Sequence, residues 1–235
     1  MFNDPNYLKA VTNTLIFVFT NLNIKMPLAL ATALAMNRSF KGRRIALALL
    51  ILPWGIPNVP YYLVFRFILH SDYGILNYFL MWLGIRSPPA WLSDPNYALY
   101  SVMAAHAIKN APFFALIFLA ALSSIPTDYY EAAKIDGAGA WGNFRYITIP
   151  LMKNIIILNY TLSFVWMMGE FDSVWVMTRG GPSFSSHILG TYAYQLAFVL
   201  AQPNLGAAAF VPIVPVLAIA IFILLMKEIL KLGGE

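Results

Sequence analysis

The chain has 235 residues, 60% of them hydrophobic and only 11% charged, whereas soluble domains carry about a quarter charged residues; the composition excludes a soluble domain and identifies an integral membrane protein. The formal net charge of +5 does not point to nucleic acid, because the basic residues gather at the ends of apolar segments instead of on a soluble face. Zero cysteines exclude disulfides and thiolate metal sites, and without a Gly-x-x-x-x-Gly-Lys-Ser/Thr loop the chain cannot cradle ATP phosphates in that way, so ATP-driven work requires another subunit.

At about 20 residues per span, the length accommodates roughly five or six helices, and alternating ten-residue strands of the kind that build barrels are missing. Residues 1–10, MFNDPNYLKA, lack the basic start and cleavage site of a signal peptide. A first span is expected over about 11–36. It is followed by Asn37-Arg38-Ser39-Phe40-Lys41-Gly42-Arg43-Arg44, where four basic residues in eight and no acid mark a cytoplasmic loop. Residues 1–10 are therefore an extracytoplasmic segment. A second span, about 45–69, carries Pro53, Pro57 and Pro60, so it must kink or break where neighbours or water satisfy its backbone.

Residues 70–97, with Asp72-Tyr73-Gly74, Pro88-Pro89-Ala90-Trp91 and Asp94-Pro95, fit an interfacial helix and loop on the outer side. A third span, about 98–122, leads inward to the loop 123–150, and a fourth, about 151–177, returns outward. Residues 178–204 open on Thr178-Arg179-Gly180-Gly181-Pro182 and continue as a helix-like run from Leu189 to Phe198. The last span, about 205–226, ends at Lys227 and Lys231, leaving 231–235 as a cytoplasmic tail. Nine basic residues then fall inside (Arg38, Lys41, Arg43, Arg44, Lys134, Arg145, Lys153, Lys227, Lys231) against three outside (Lys9, Arg86, Arg179).

The inner loop, SSIPTDYYEAAKIDGAGAWGNFRYITIP, is the most elaborate connection on its side. Pro126 suits the first turn of a helix, with Ser123 or Ser124 as cap. The helix runs through Tyr129, Glu131, Ala132 and Ala133, Gly137 ends it in the left-handed conformation, and Trp141, Phe144 and Ile147 recur at the spacing of a second short helix. Small residues at Ala132, Ala133, Gly137, Ala138 and Gly139 allow close approach of a partner's backbone.

Glu131-Ala132-Ala133, Gly137 after three intervening residues, then Ile147 and Pro150 resemble the Glu-Ala-Ala signature of ATP-binding-cassette importer permeases; Ile149 stands where the family usually has Leu. Asn13-Thr14-Leu15, the LPWGIPNVP run, Asp72-Tyr73-Gly74, Trp91-Leu92, and Thr178 with Gly180-Gly181-Pro182 resemble the carbohydrate-importer branch, of the maltose-permease type. The resemblance implies an all-α integral membrane fold of type I importer kind: a permease domain over 11–230 whose loop 123–150 is a cytoplasmic coupling hairpin. Glu131, Ala132, Ala133, Asp136, Gly137, Ile147 and Pro150 would couple to the ATPase. The family core has six spans; five expected here means that the first is absent, because this reading starts internally or because this is a five-span variant. The implied partners are an ATPase dimer holding ATP and Mg, a second homologous permease, an extracytoplasmic solute-binding protein and the lipid bilayer of a prokaryotic cytoplasmic membrane. No cofactor is expected on this chain.

A charge at mid-span costs about 2.5–3.5 kcal/mol on insertion scales, so Lys25, Arg66, Lys109, Glu170 and Asp172 each require an explanation. Arg66 and Asp172 lie close enough to span ends to reach the headgroups. Lys109-Asn110 lies near the middle of its span, with Pro112 beyond; a translocation role and a structural pairing, with Glu170 as one partner, both stand. Trp166, Glu170, Tyr192, Tyr194 and Gln195 are candidates for a sugar site, since pyranose faces stack on aromatic rings and hydroxyls need amide and carboxylate partners. Interfacial belts are the simpler account of Tyr192 and Tyr194.

The expected function is transport of a sugar or sugar-like solute by alternating access, with no bond chemistry on this chain. A secondary transporter or channel would be expected to show inverted repeats, and none is visible. An intramembrane enzyme built on Glu170 and Asp172 lacks a His or Ser partner in sequence reach and has its carboxylates on different helix faces.

Overall fold

The computed structural model describes residues 4–219 and 222, and every regular element among them is helical. Lys227, Lys231 and the tail 231–235 lie outside the described residues. The first helix, α1, runs Pro5–Asn37, starting before the expected span because Asp4 caps it, its carboxylate accepting the Asn6 N–H at 2.9 Å with Pro5 in the first turn. That Asp-Pro start signal outweighs the later onset of apolar sequence. At 33 residues, α1 is roughly 50 Å long.

α1 packs in parallel with α5 (Ala98–Ser123) as the central pair. Asn21 Nδ2 donates to the Met103 carbonyl at 3.1 Å, and sixteen residues on, Ser123 Oγ donates to Asn37 Oδ1 at 3.4 Å. Small buried residues line both helices, Ala10, Ala29 and Ala33 on one and Ala98, Ala105, Ala111 and Ala115 on the other. In lipid, where apolar burial alone drives little helix association, small residues let backbones approach and hold by dispersion and interhelical hydrogen bonds.

The proline-rich second segment is two helices, not a kinked one. α2 (Arg43–Gly55) and α3 (Asn58–Ile68) meet at 95° across Ile56–Pro57. A short helix, α4 (Ile75–Trp82), follows in the position of the expected interfacial element. Buried Asn77 organises its loop, donating to the Ser71 carbonyl and accepting the Trp91 indole N–H at 2.7 Å.

α6 (Thr127–Ile135) ends as the sequence predicts: Gly137 has φ +81, the Ala138 N–H reaches the Ala133 carbonyl at 2.8 Å and the Gly137 N–H reaches Lys134 at 3.1 Å, the paired bonds of a Schellman stop. Its start differs from expectation. Pro126 occupies the cap position itself, Ser124 turns back to the Ala121 carbonyl and Ser123 bonds Asn37, so neither serine caps. The second short helix also differs: α7 (Ala140–Asn143) passes through a π turn at Phe144–Thr148 directly into α8 (Ile149–Met168), giving one continuous helix over Ala140–Met168. Pro150 falls where the π turn passes into the α-helix, and the helix continues through it.

The expected fourth span stops at Gly169, and α9 (Asp172–Met177) begins after a break at 169–171. α10 (Leu189–Tyr194), a π turn at Gln195–Val199 and α11 (Pro203–Phe210) complete the described chain, with apolar helix extending to Ile219. Among the described residues three helices are long and apolar enough to cross a membrane, and a fourth crossing exists if the bent α2–α3 pair is one span.

The loop 178–188 is pinned to α1 by Asn13, whose Nδ2 donates at 2.9 Å to both the Ser185 and His187 carbonyls, while Thr14 Oγ1 accepts the Leu189 N–H at 2.8 Å. Asn13→Leu strands two buried carbonyls and should lower unfolding stability in detergent by about 2–3 kcal/mol; an unchanged melting temperature would show that these bonds do not hold the loop.

Candidate functional site

The two helix breaks lie next to each other against α5. Between them lies a cavity of about 250 Å³ lined by Lys25 of α1, Trp54, Asn58 and Tyr62 of the α2–α3 pair, His106 and Asn110 of α5, and Trp166, Met167 and Glu170 beside the α8–α9 break. Broken helices are where backbone groups become available to a solute within a membrane.

The α2–α3 break has a chemical cause. In an uninterrupted helix the Pro53 carbonyl would accept from residue 57 and the Ile56 carbonyl from residue 60. Both positions are proline, which has no N–H. Lys109 supplies what is missing: its Nζ donates to the Pro53 carbonyl at 3.1 Å and to the Ile56 carbonyl, and it sits 4.7 Å from the centre of the Tyr61 ring. A cation at a helix C-terminus is also favoured by the macrodipole. Lys109 is 2% exposed and does not line the cavity, and its partners are these carbonyls, not Glu170.

Glu170 serves the second break. Its Oε1 accepts the Ser173 N–H at 2.9 Å, capping α9, and its Oε2 lies 3.5 Å from His106 Nε2. His106 Nδ1 in turn faces Asn21 Oδ1 at 3.3 Å, so one line of polar groups runs from α1 through α5 to the break. Gly190 of α10 packs on the Glu170 carbonyl, where a Cβ has no room. On the far side of the cavity, the first residues of α3 and α9 are joined: Asn58 Nδ2 donates to Asp172 Oδ2 at 2.7 Å. Aromatic rings form one wall. Trp54 stacks on Phe113 at 5.0 Å between ring centres, and Phe113 meets Trp166 at 5.2 Å.

Of the pathway residues expected from sequence, Asn110, Trp166 and Glu170 come together here, with Lys109 behind the wall. Tyr194 and Gln195 do not join them. Tyr194 packs among Phe171, Trp175 and Phe198 and lines a separate apolar groove. Gln195, in the π turn, has its Oε1 buried without a partner among the described residues. Sequence reasoning passed over Trp54, Asn58, Tyr62, His106 and Met167, and flagged Lys25 only as a charge. The signal for His106 was present: His106, Lys109 and Asn110 fall at i, i+3 and i+4 on one helix face.

A second surface lies at the end carrying residues 38–44. On the α6–α7 hairpin, Ile135 is 88% exposed, Tyr146 75% and Trp141 69%, and Glu131, Ala132, Asp136, Gly137 and Pro150 are exposed. Ala133 and Ile147 are half-buried. Tyr130 Oη and Thr148 Oγ1, 3.0 Å apart, tie α6 to the π turn that leads into α8. Such a polar-rimmed apolar patch marks an interaction surface.

Residues 25–232 match the family described as binding-protein-dependent transport system inner membrane component. The chain is 33% identical over 195 residues to the trehalose/maltose transport system permease protein MalF of Thermococcus litoralis, covering 83% of this chain and 65% of the relative. It is 33% identical over 225 residues to the lactose transport system permease protein LacF of Rhizobium radiobacter, covering 94% of this chain and 75% of the relative. A chain in the crystal structure of a bacterial alginate ABC transporter, in complex with an alginate pentasaccharide-bound periplasmic protein, superposes with a TM-score of 0.83 at 23% identity, covering 96% of this chain and 78% of that one; the likeness shows a shared fold.

Lys109→Met should remove about 3 kcal/mol of unfolding stability, since two carbonyls lose a charged donor. Adding Pro57→Ala and Pro60→Ala returns the two N–H groups and should recover part of it. Equal losses in both backgrounds, measured by denaturation in detergent, would contradict the donor-replacement account.

Proposed function

The chain belongs to the family of binding-protein-dependent transport system inner membrane components, and on that premise we propose that it is a permease subunit of an ATP-driven importer carrying a sugar or sugar-like solute. The observation that carries the reading is the hairpin over Thr127–Thr148, whose large apolar residues stand exposed around a Glu-Ala-Ala helix with a Schellman stop. A surface of that kind fits a groove on a separate motor subunit. ATP and Mg are held there, and this chain makes and breaks no bonds.

The remaining partners follow from the same reading: a dimer of ATPases on the hairpin side, a second homologous permease completing the pathway, and an extracytoplasmic binding protein that delivers the solute. Basic residues at 38–44 share an end with the hairpin, and the positive-inside rule makes that end cytoplasmic. The N-terminus then lies outside and the C-terminus in the cytoplasm of a prokaryotic cell. Carbohydrate as cargo is supported by the relatives named for trehalose/maltose and lactose, and by a cavity that combines a Trp54–Phe113–Trp166 wall with amide and carboxylate groups.

Movement of the hairpin has a rigid route inward. Ala140–Met168 is one helix, so a displacement of the hairpin is carried along α8 to the Glu170 break. The cavity then opens alternately to the two sides as α2 and α8 move against the joined α3 and α9.

Glu131→Lys combined with Gly137→Asp places a wrong charge on the hairpin and a side chain at φ +81. With a hot-spot residue worth about 2 kcal/mol or more, docking of the ATPase should weaken by about thirtyfold and ATP-dependent sugar uptake by the assembled transporter should fall in step. Unimpaired uptake would remove the coupling role.

A further inference from the structure

The hydrogen bonds of the cavity leave one lining cation without an ion-pair partner. Asn21 Nδ2 donates to the Met103 carbonyl, which can only accept, and this fixes the amide with its Oδ1 toward His106 Nδ1. Nδ1 therefore carries a proton. The other ring nitrogen, Nε2, lies 3.5 Å from Glu170 Oε2, and a bare lone pair against a carboxylate oxygen repels, so a second proton sits between them. Whether it resides on the imidazole or on the carboxyl, His106 and Glu170 together sum to zero.

The other ionisable groups nearby are also accounted for. Lys109 points away, to the α2 carbonyls, and Asp172, outside the cavity lining, is bonded to Asn58. Lys25 remains. It lines the cavity while 1% exposed. Among the described residues its Nζ meets only the Met167 thioether at 3.6 Å and the face of Phe114 at 4.9 Å, and no carboxylate lies within ion-pair distance. A thioether is a weak acceptor, and a buried ammonium is stable only when paired.

We propose that Lys25 is the anchor for an anionic group on the cargo: a carboxylate, sulfonate or phosphate carried by a sugar ring. The assignment rests on the transport reading above and names the substrate class of that same cavity. Lys25 Nζ lies over Phe114, whose ring meets Trp166 at 5.9 Å between centres, so a ring stacked on the Trp54–Phe113–Trp166 wall has its substituent beside the ammonium. A volume of about 250 Å³ lies just below the usual range of ligand pockets and suits one ring at a time.

The test uses the complete transporter in lipid nanodiscs without its binding protein, and calorimetry with four probes: methyl glucoside, methyl glucuronide, glucose 6-phosphate and glucose 6-sulfonate. A charge-assisted contact predicts that at least one acidic probe binds tenfold or more tighter than methyl glucoside, and which probe does so identifies the anion. Lys25→Met should collapse that ratio to about one, and Lys25→Arg should keep most of it, which separates lost charge from lost folding. No acidic preference, or a preference that survives Lys25→Met, overturns the assignment. The two readings fail separately: a transporter that takes up neutral sugars on ATP hydrolysis without acidic preference defeats only the Lys25 assignment, whereas one with no ATP-dependent uptake of any sugar defeats the transport reading.

Discussion

Two carbonyl oxygens deprived of their helical donors set the architecture. Pro57 and Pro60 remove the N–H groups that the carbonyls of Pro53 and Ile56 would use, and within a bilayer an unsatisfied backbone group costs several kcal/mol. Lys109 reaches from α5 to both. Each defect answers the other: the lysine is a buried cation that needs acceptors, and the helix end is a pair of acceptors that needs a donor. The bend of 95° is thus held at one place, and the space beside it is the cavity.

The α8–α9 break is secured by a different chemistry. There a carboxylate caps the second helix and is held by an imidazole from α5, which an amide from α1 orients in turn. α5 therefore braces both breaks with residues three positions apart, His106 and Lys109. On the proposed mechanism this matters for movement, because α3 and α9 are joined through Asn58 and Asp172 and each meets its preceding helix, α2 or α8, at a break. Two bodies hinged on one brace can exchange access without unravelling either helix.

Much of this was readable in the sequence because it rests on local rules. The proline run announced a break, Gly137 announced the left-handed stop, and the basic stretch at 38–44 and the hairpin share one end as expected. What escaped were features decided across the fold. Nothing local distinguishes a lysine that lines a cavity from one that caps a neighbouring helix, so the role of Lys109 depended on knowing which helix lay beside α5. His106 was overlooked because a single histidine on an apolar helix gives little signal until Asn21 and Glu170 stand on either side of it. Tyr194 and Gln195 have the composition of a sugar site, yet the fold places Tyr194 in another groove and buries Gln195 in the π turn, outside the cavity. Continuity of Ala140–Met168 was hidden by Gly142 and Pro150, both of which weaken a helix on propensity alone.

The central claim is that the space between the two breaks is a solute pathway with access to one side at a time. Because the chain has no cysteine, a single Asn110→Cys substitution provides a unique reporter on the cavity wall. Its reactivity toward a membrane-impermeant thiol reagent should be measured from each side of sealed vesicles, with the transporter resting and with the ATPase trapped in its nucleotide-bound state. The account predicts labelling from one side at rest and from the other when trapped. Labelling from the same side in both states, or from neither, would contradict it.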